Sequence, residues 1–228
     1  MTLLALFAVF CGLTVTRVVL VYRRTGINPV KIKADDSVFG ALHRVLKVTV
    51  ATLLFISLVY AFAPGVKPWL VPVDYLETEA LHLAGAVLAA VAILWIAIAQ
   101  VQMAASFRMG IDPSEHTALV RHGLFSVSRN PIYVGILAFI GGVFLMAPNV
   151  LSLGAAVAAL IGFPVAVRLE EEYLLSKHGN AFREYRSGVR RWIGTRSGWT
   201  ATASRLRPVP GTPRDWPATP RSRSLVRR

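Results

Sequence analysis

Apolar runs divide the chain. Residues 2–22 form the first, interrupted only by Arg17 near its end. Residues 45–63 form the second, with Lys47 at its edge, and residues 81–103 the third. A fourth, residues 132–167, is too long for one crossing and holds Ala147-Pro148-Asn149 in its middle. A helix needs about 20 apolar residues to cross the hydrocarbon of a bilayer. The last run therefore reads as two shorter helices, at 132–147 and 150–167, joined by a tight turn at Pro148-Asn149. The pattern predicts an all-α integral membrane bundle of about five spans.

Composition and charge sharpen this. Charged residues make up 16% of the chain, against about 25% in a soluble domain. Lys and Arg outnumber Asp and Glu by 25 to 12, a surplus that cytoplasmic loops facing anionic lipid carry. It is unevenly spread. Residues 23–47 hold Arg23, Arg24, Lys31, Lys33, Arg44 and Lys47 against Asp35 and Asp36, whereas residues 64–80 hold Lys67 against Asp74, Glu77 and Glu79. The positive-inside rule then places the first loop, the loop at 104–131 and the C-terminus in the cytoplasm, and an odd number of spans puts the N-terminus outside. Met1-Thr2 is neutral and the positive charges follow the first run, the reverse of a cleaved signal peptide, so a retained helix is expected. Cys11 is the single cysteine, and histidines 43, 82, 116, 122 and 178 show no paired ligand spacing, so no metal is expected. Gly141-Gly142, inside an apolar run, reads as a helix-packing surface.

Residues 194–228 differ in kind: eight arginines, five prolines and one acid, Asp215. Such a segment buries too little apolar surface to fold alone. It reads as a basic tail against membrane lipids, not as a nucleic-acid binder, appended to a membrane-embedded domain at 1–193.

Two polar clusters flank the spans. In the first, Arg129-Asn130-Pro131-Ile132-Tyr133, Pro131 suits the first helical position and Asn130 the cap. The free N–H groups of that turn favour an anion. In the second, Arg168-Leu169-Glu170-Glu171-Glu172, Arg168 is spaced to pair with Glu171 or Glu172 along a helix. After Gly179-Asn180, a helix stop and restart, Phe182, Tyr185, Val189 and Trp192 at 3-4-3 spacing predict one apolar face of a C-terminal cytoplasmic amphipathic helix.

Arg129-Asn130-Pro131-Ile132-Tyr133-Val134-Gly135, followed by Arg168, Glu170-Glu171, Leu174, Gly179, Phe182, Tyr185, Val189 and Arg191, resembles the isoprenylcysteine carboxyl methyltransferase family and its phospholipid methyltransferase relatives. The resemblance covers roughly residues 81–193. There are departures: Asn130 stands where the family often has His, Arg190 where Pro is usual, and Gly123-Leu124-Phe125 replaces Gly-Pro-Tyr. The resemblance implies an S-adenosylmethionine-dependent methyltransferase with a cofactor pocket between the last spans and the C-terminal helices. Carried over by position, Asn130, Pro131, Tyr133 and one or both of Glu170 and Glu171 contact the cofactor. Arg168 orients an acidic acceptor, and Glu171 or His122 takes a proton where the acceptor is an amine or thiol. The acceptor so implied is lipid-like or prenylated. A phospholipid or small-thiol methyltransferase on the same scaffold is the alternative. A transporter or other non-enzymatic membrane protein would show charges within spans and a repeat between halves; here the span interiors are nearly charge-free and no repeat is visible. The topology has a direct test. A cysteine introduced at Ser204 should stay unlabelled by an impermeant thiol reagent in intact cells, and labelling there would overturn the assigned orientation.

Overall fold

The computed structural model describes residues 1–26, 28, 30, 38–104 and 119–196. Five α-helices carry the fold: α1, Thr2–Thr25; α2, Val38–Phe62; α3, Glu79–Met103; α4, Pro131–Met146; and α5, Val150–Gly188. Four of them, α1, α2, α3 and α5, are long and apolar enough to cross a membrane. Helix α4 has 16 residues; at 1.5 Å per residue it is about 24 Å long, short of a hydrocarbon core of about 30 Å. The five expected spans are thus five helices, one of which falls short of a full crossing. Large apolar side chains such as Val87, Val91, Leu94, Leu160 and Ile161 point outward, where lipid would cover them, while Leu3, Phe7, Ile56, Ile93 and Phe139 form the shared core.

Helix α3 lies along α4 at a point where neither has a side chain. A Cβ added to Gly85 would stand 2.6 Å from the Gly142 carbonyl oxygen, and one on Gly142 would stand 2.7 Å from that of Gly85. Without a hydrophobic driving force between helices in lipid, close backbone approach of this kind supplies the packing. Of the expected Gly141-Gly142 pair, Gly142 makes the contact, whereas Gly141 has open space around it out to Leu88 at 3.9 Å.

The α4–α5 hairpin turns at Ala147-Pro148-Asn149, as expected. Asn149 caps α5 by accepting from the Ser152 amide at 3.0 Å, while Ser152 Oγ accepts from the Asn149 amide at 3.1 Å. The hairpin is held by the connection between α2 and α3, two short 3-10 turns at Pro64–Leu70 and Asp74–Leu76. There the Val73 amide donates to the Pro148 carbonyl at 2.8 Å. Trp69 and Tyr75 on this connection are exposed, the amphipathic aromatics typical of a membrane–water interface.

Helix α5 does not stop at the end of its apolar run but continues as one rod, broken at Gly179, where φ is 50°. The break falls where the sequence places a stop and restart. The restarted helix is shorter than expected, ending at Gly188. Val189 is extended and bridges to Thr195, and Trp192 packs on the main core. The expected single helical face therefore holds Phe182 and Tyr185 but not Val189 and Trp192. The backbone leaves the helix because residues 189–196 fold back along the turn before α4. Residues 105–118 and 197–228, which include most of the loop before α4 and of the basic tail, lie outside the described residues.

Gly142→Ala should lower the melting temperature of the detergent-solubilised protein, since overpacking a tight contact costs about 1–3 kcal/mol. Gly154→Ala, on a helix with nothing within 4 Å, should leave it unchanged or raise it. Equal effects would show that the α3–α4 contact does not hold the bundle.

Candidate functional site

The turn before α4 is built by residues 122–131. A 3-10 turn, Gly123–Ser126, starts from Gly123 at φ 61° and sits against Gln102, whose side-chain oxygen accepts from the Leu124 amide at 2.8 Å. The C-terminal segment clamps this turn from outside. The Tyr185 hydroxyl donates to the Phe125 carbonyl at 2.6 Å, the Arg129 amide to the Arg190 carbonyl at 3.1 Å, and the Gly194 amide to the Val127 carbonyl at 2.7 Å. Chain segments about sixty residues apart thus meet at the first turn of α4.

Glu171 lies at the centre of this junction, 4% exposed. Arg129 Nη2 stands 3.0 Å from one carboxylate oxygen and Arg191 Nη2 2.8 Å from the other. Asn130 Nδ2 donates to Glu171 at 3.2 Å and to the Arg191 carbonyl at 3.2 Å. Asn130 precedes Pro131 as the cap residue, yet its side chain makes no capping bond; it is spent on the junction. Burial lowers the pKa of Arg129, with Glu171 opposing and Arg191 adding to the shift. The Arg191 guanidinium, hydrogen-bonded to Glu171, is raised. Two guanidiniums against one carboxylate leave one positive charge in surplus. The buried Nε of Arg129 has no hydrogen-bond partner.

Beside the junction opens a cavity of about 390 Å³, lined by residues of all five helices. Arg129, Asn130, Pro131, Tyr133 and Glu170 line its polar end. Tyr133 and Glu170 interact there, and the Tyr133 ring meets Phe163 edge-on at 5.3 Å. The remainder is walled largely by side chains such as Phe7, Phe10, Leu46, Leu53 and Ile140.

Of the residues singled out in the sequence, Asn130, Pro131, Tyr133 and Glu170 share the cavity wall. Glu171 touches Asn130 but faces the junction, because adjacent residues diverge by about 100° round a helix. Arg168, about 200° from Glu170 by the same geometry, is exposed. The expected pairing of Arg168 with Glu171 or Glu172 does not form among the described residues: Glu171 is turned inward to Arg129 and Arg191. His122 is exposed. Sequence reasoning gave no role to Arg129 or Arg191, although both stand in the motifs. The available signal was the acid itself, which at a membrane surface needs a buried counter-charge.

No curated protein matches the chain. Residues 80–181, which span α3, the turn before α4, the hairpin and α5 past Gly179, match the phospholipid methyltransferase family model. The similarity is thus of this stretch, and not of the whole chain, to phospholipid methyltransferases.

Proposed function

We propose that the protein is an integral membrane methyltransferase that takes the methyl group from S-adenosylmethionine and passes it to a lipid-like acceptor held in the cavity. The observation that carries this reading is a carboxylate, Glu170, on the wall of a cavity whose mouth also holds a surplus guanidinium charge. S-adenosylmethionine carries its ammonium and its carboxylate on one carbon, with the sulfonium two methylene groups away. Glu170 and Tyr133 match the cationic part. Arg129, with its unpartnered Nε, and the free N–H groups at the start of α4 match the carboxylate. Asn130 and Pro131 shape the turn that presents those groups. Bound there, the cofactor would supply an electrophilic methyl group.

The chain's own part is alignment and dehydration. Methyl transfer needs the acceptor in line with the breaking bond, and orientation of this kind contributes about 7–11 kcal/mol in favourable cases. The apolar wall excludes water from that meeting point. Within this reading Glu171 is a positioning residue that fixes Asn130 and Arg129, and proton removal from an amine or thiol acceptor falls to Glu170, the carboxylate inside the cavity. Arg168, exposed past the apolar part of α5, serves an anionic group of the acceptor that stays at the membrane surface. The isoprenylcysteine-like and phospholipid readings share all of these features. The mouth and the tail face the cytoplasm by the charge asymmetry of the loops.

Glu170→Gln should weaken S-adenosylmethionine binding about tenfold or more, in line with a charge-assisted contact of about 1.5–3 kcal/mol, and leave the melting temperature near that of the parent. Glu171→Gln should do the reverse first, destabilising by about 3–5 kcal/mol because Arg129 loses its counter-charge. Titration calorimetry and thermal unfolding separate the two, and normal cofactor affinity in Glu170→Gln would remove Glu170 from the site. Arg168→Lys keeps the charge but loses the two-pronged fork. It should raise the acceptor's KM at unchanged cofactor affinity, and an unchanged KM would make Arg168 structural.

A further inference from the structure

Gln100 lies on α3, 4% exposed, and lines the cavity. It has no hydrogen-bond partner among the described residues. Its polar atoms are not among those sealed from solvent without a partner, so the amide opens on the cavity, where a ligand group can meet it. Its depth follows from its neighbours. Ile96, one turn away on the same face, sits against Gly135, where an added Cβ would stand 2.4 Å from Ile96 Cγ1. Trp95 Nε1 donates to the Pro131 carbonyl at 2.8 Å. One turn further along α3, Gln100 is therefore level with the first turn of α4, the layer that holds Asn130 and Tyr133. Next to it on the cavity wall are Ile96 and Met103, so the amide stands in an apolar patch within the reacting layer.

We propose that Gln100 is a specificity-determining residue that hydrogen-bonds an uncharged polar group of the acceptor, a carbonyl, ester or hydroxyl, close to the atom that is methylated. This rests on the proposed cavity as the acceptor site. The choice of an uncharged group follows from the charges. Surplus positive charge lies at Arg129 and the carboxylate at Glu170, both on the cavity wall, so an ionised group is drawn to those and not to a neutral amide. An amide both donates and accepts, which suits a carbonyl or hydroxyl. An alkane at this position would leave the amide unpaired. Recognition by a buried hydrogen-bonding group discriminates strongly for that reason. Gln100 thus separates acceptors with a polar group beside the reacting atom from those with bare hydrocarbon there.

The test uses the full-length protein in detergent with four ten-carbon probes: decane, 1-decanol, methyl decanoate and decyltrimethylammonium. Thermal shifts are read for the parent and for Gln100→Met, which keeps length and removes the hydrogen bonds. Partition of each probe into micelles is the same for both proteins, so the difference between them reports the cavity. The parent should be stabilised more by decanol and methyl decanoate than by decane or the cation. In Gln100→Met that preference should vanish, with about a tenfold loss of affinity for the ester, while S-adenosylmethionine affinity is unchanged. A preference that survives in Gln100→Met overturns the proposal. So does a loss of cofactor affinity in its place, which would assign the amide to the cofactor. Should Gln100→Met fail to fold, the parent alone decides, since equal shifts by decane and the ester leave the amide nothing to read. Absence of S-adenosylmethionine binding by the parent would defeat the methyltransferase reading and leave the probe comparison standing.

Discussion

A carboxylate taken out of water costs several kcal/mol unless other charges and hydrogen bonds neutralise it. Glu171 is buried, and what neutralises it defines this protein. Arg129 comes from the turn before α4, Arg191 from the segment after α5, and the Asn130 amide from the cap of α4. Two pieces of chain remote in sequence, residues 129–130 and Arg191, are drawn to one point on α5 by one acid. Once they meet there, the backbone bonds between residues 127–129 and 190–194 close a second layer round them. The first turn of α4 is thereby fixed where Asn130, Pro131, Ile132 and Tyr133 line the cavity.

The same acid explains how two neighbouring glutamates divide. Glu170 and Glu171 differ by about 100° round α5, and the helix is held in rotation by the ion pairs of Glu171. A carboxylate balanced by two guanidiniums has little capacity left for a ligand, whereas Glu170 meets Tyr133 on the cavity wall and faces whatever enters. Rotation of α5 by one residue would exchange these roles. The rigid junction therefore sets the geometry of the more adaptable group beside it.

Much of the bundle was legible because hydropathy in lipid is a strong constraint. The apolar runs locate the helices, Pro148-Asn149 locates the hairpin turn, and Gly179 locates the break in α5. Less legible were features that depend on distant partners. Helical spacing pairs Arg168 with Glu171, because a sequence exposes only neighbours three or four residues away; the actual partners lie 42 and 20 residues away. Spacing likewise put Val189 and Trp192 on a helix with Phe182 and Tyr185. All four do have apolar surroundings, but the backbone at Val189 is extended to reach residues 127–129. Helix α2 begins at Val38, seven residues before its apolar run, since its first two turns carry polar groups such as His43 and Arg44 that hydropathy does not score as helix. Gln100 gave no signal at all, being one polar residue near the end of an apolar run.

The cavity itself follows from helix phase. Lining residues recur at about one-turn intervals on each wall: Phe7, Phe10 and Thr14 on α1, and Phe163, Ala166 and Glu170 on α5. Spacing of three to four residues keeps a helix face turned the same way, so the cavity runs along the helix axes and not across them. Its two ends then differ in character for a simple reason. One end meets the start of α4, with its dipole, the surplus guanidinium charge and Glu170; the other lies among phenylalanines and leucines deep between the spans. A molecule polar throughout would desolvate at the apolar end, and one apolar throughout would leave the polar end unpaired. An acceptor of the proposed kind, amphiphilic and parallel to the helices, would satisfy both ends, its polar head at the layer where Asn130, Tyr133 and Glu170 converge.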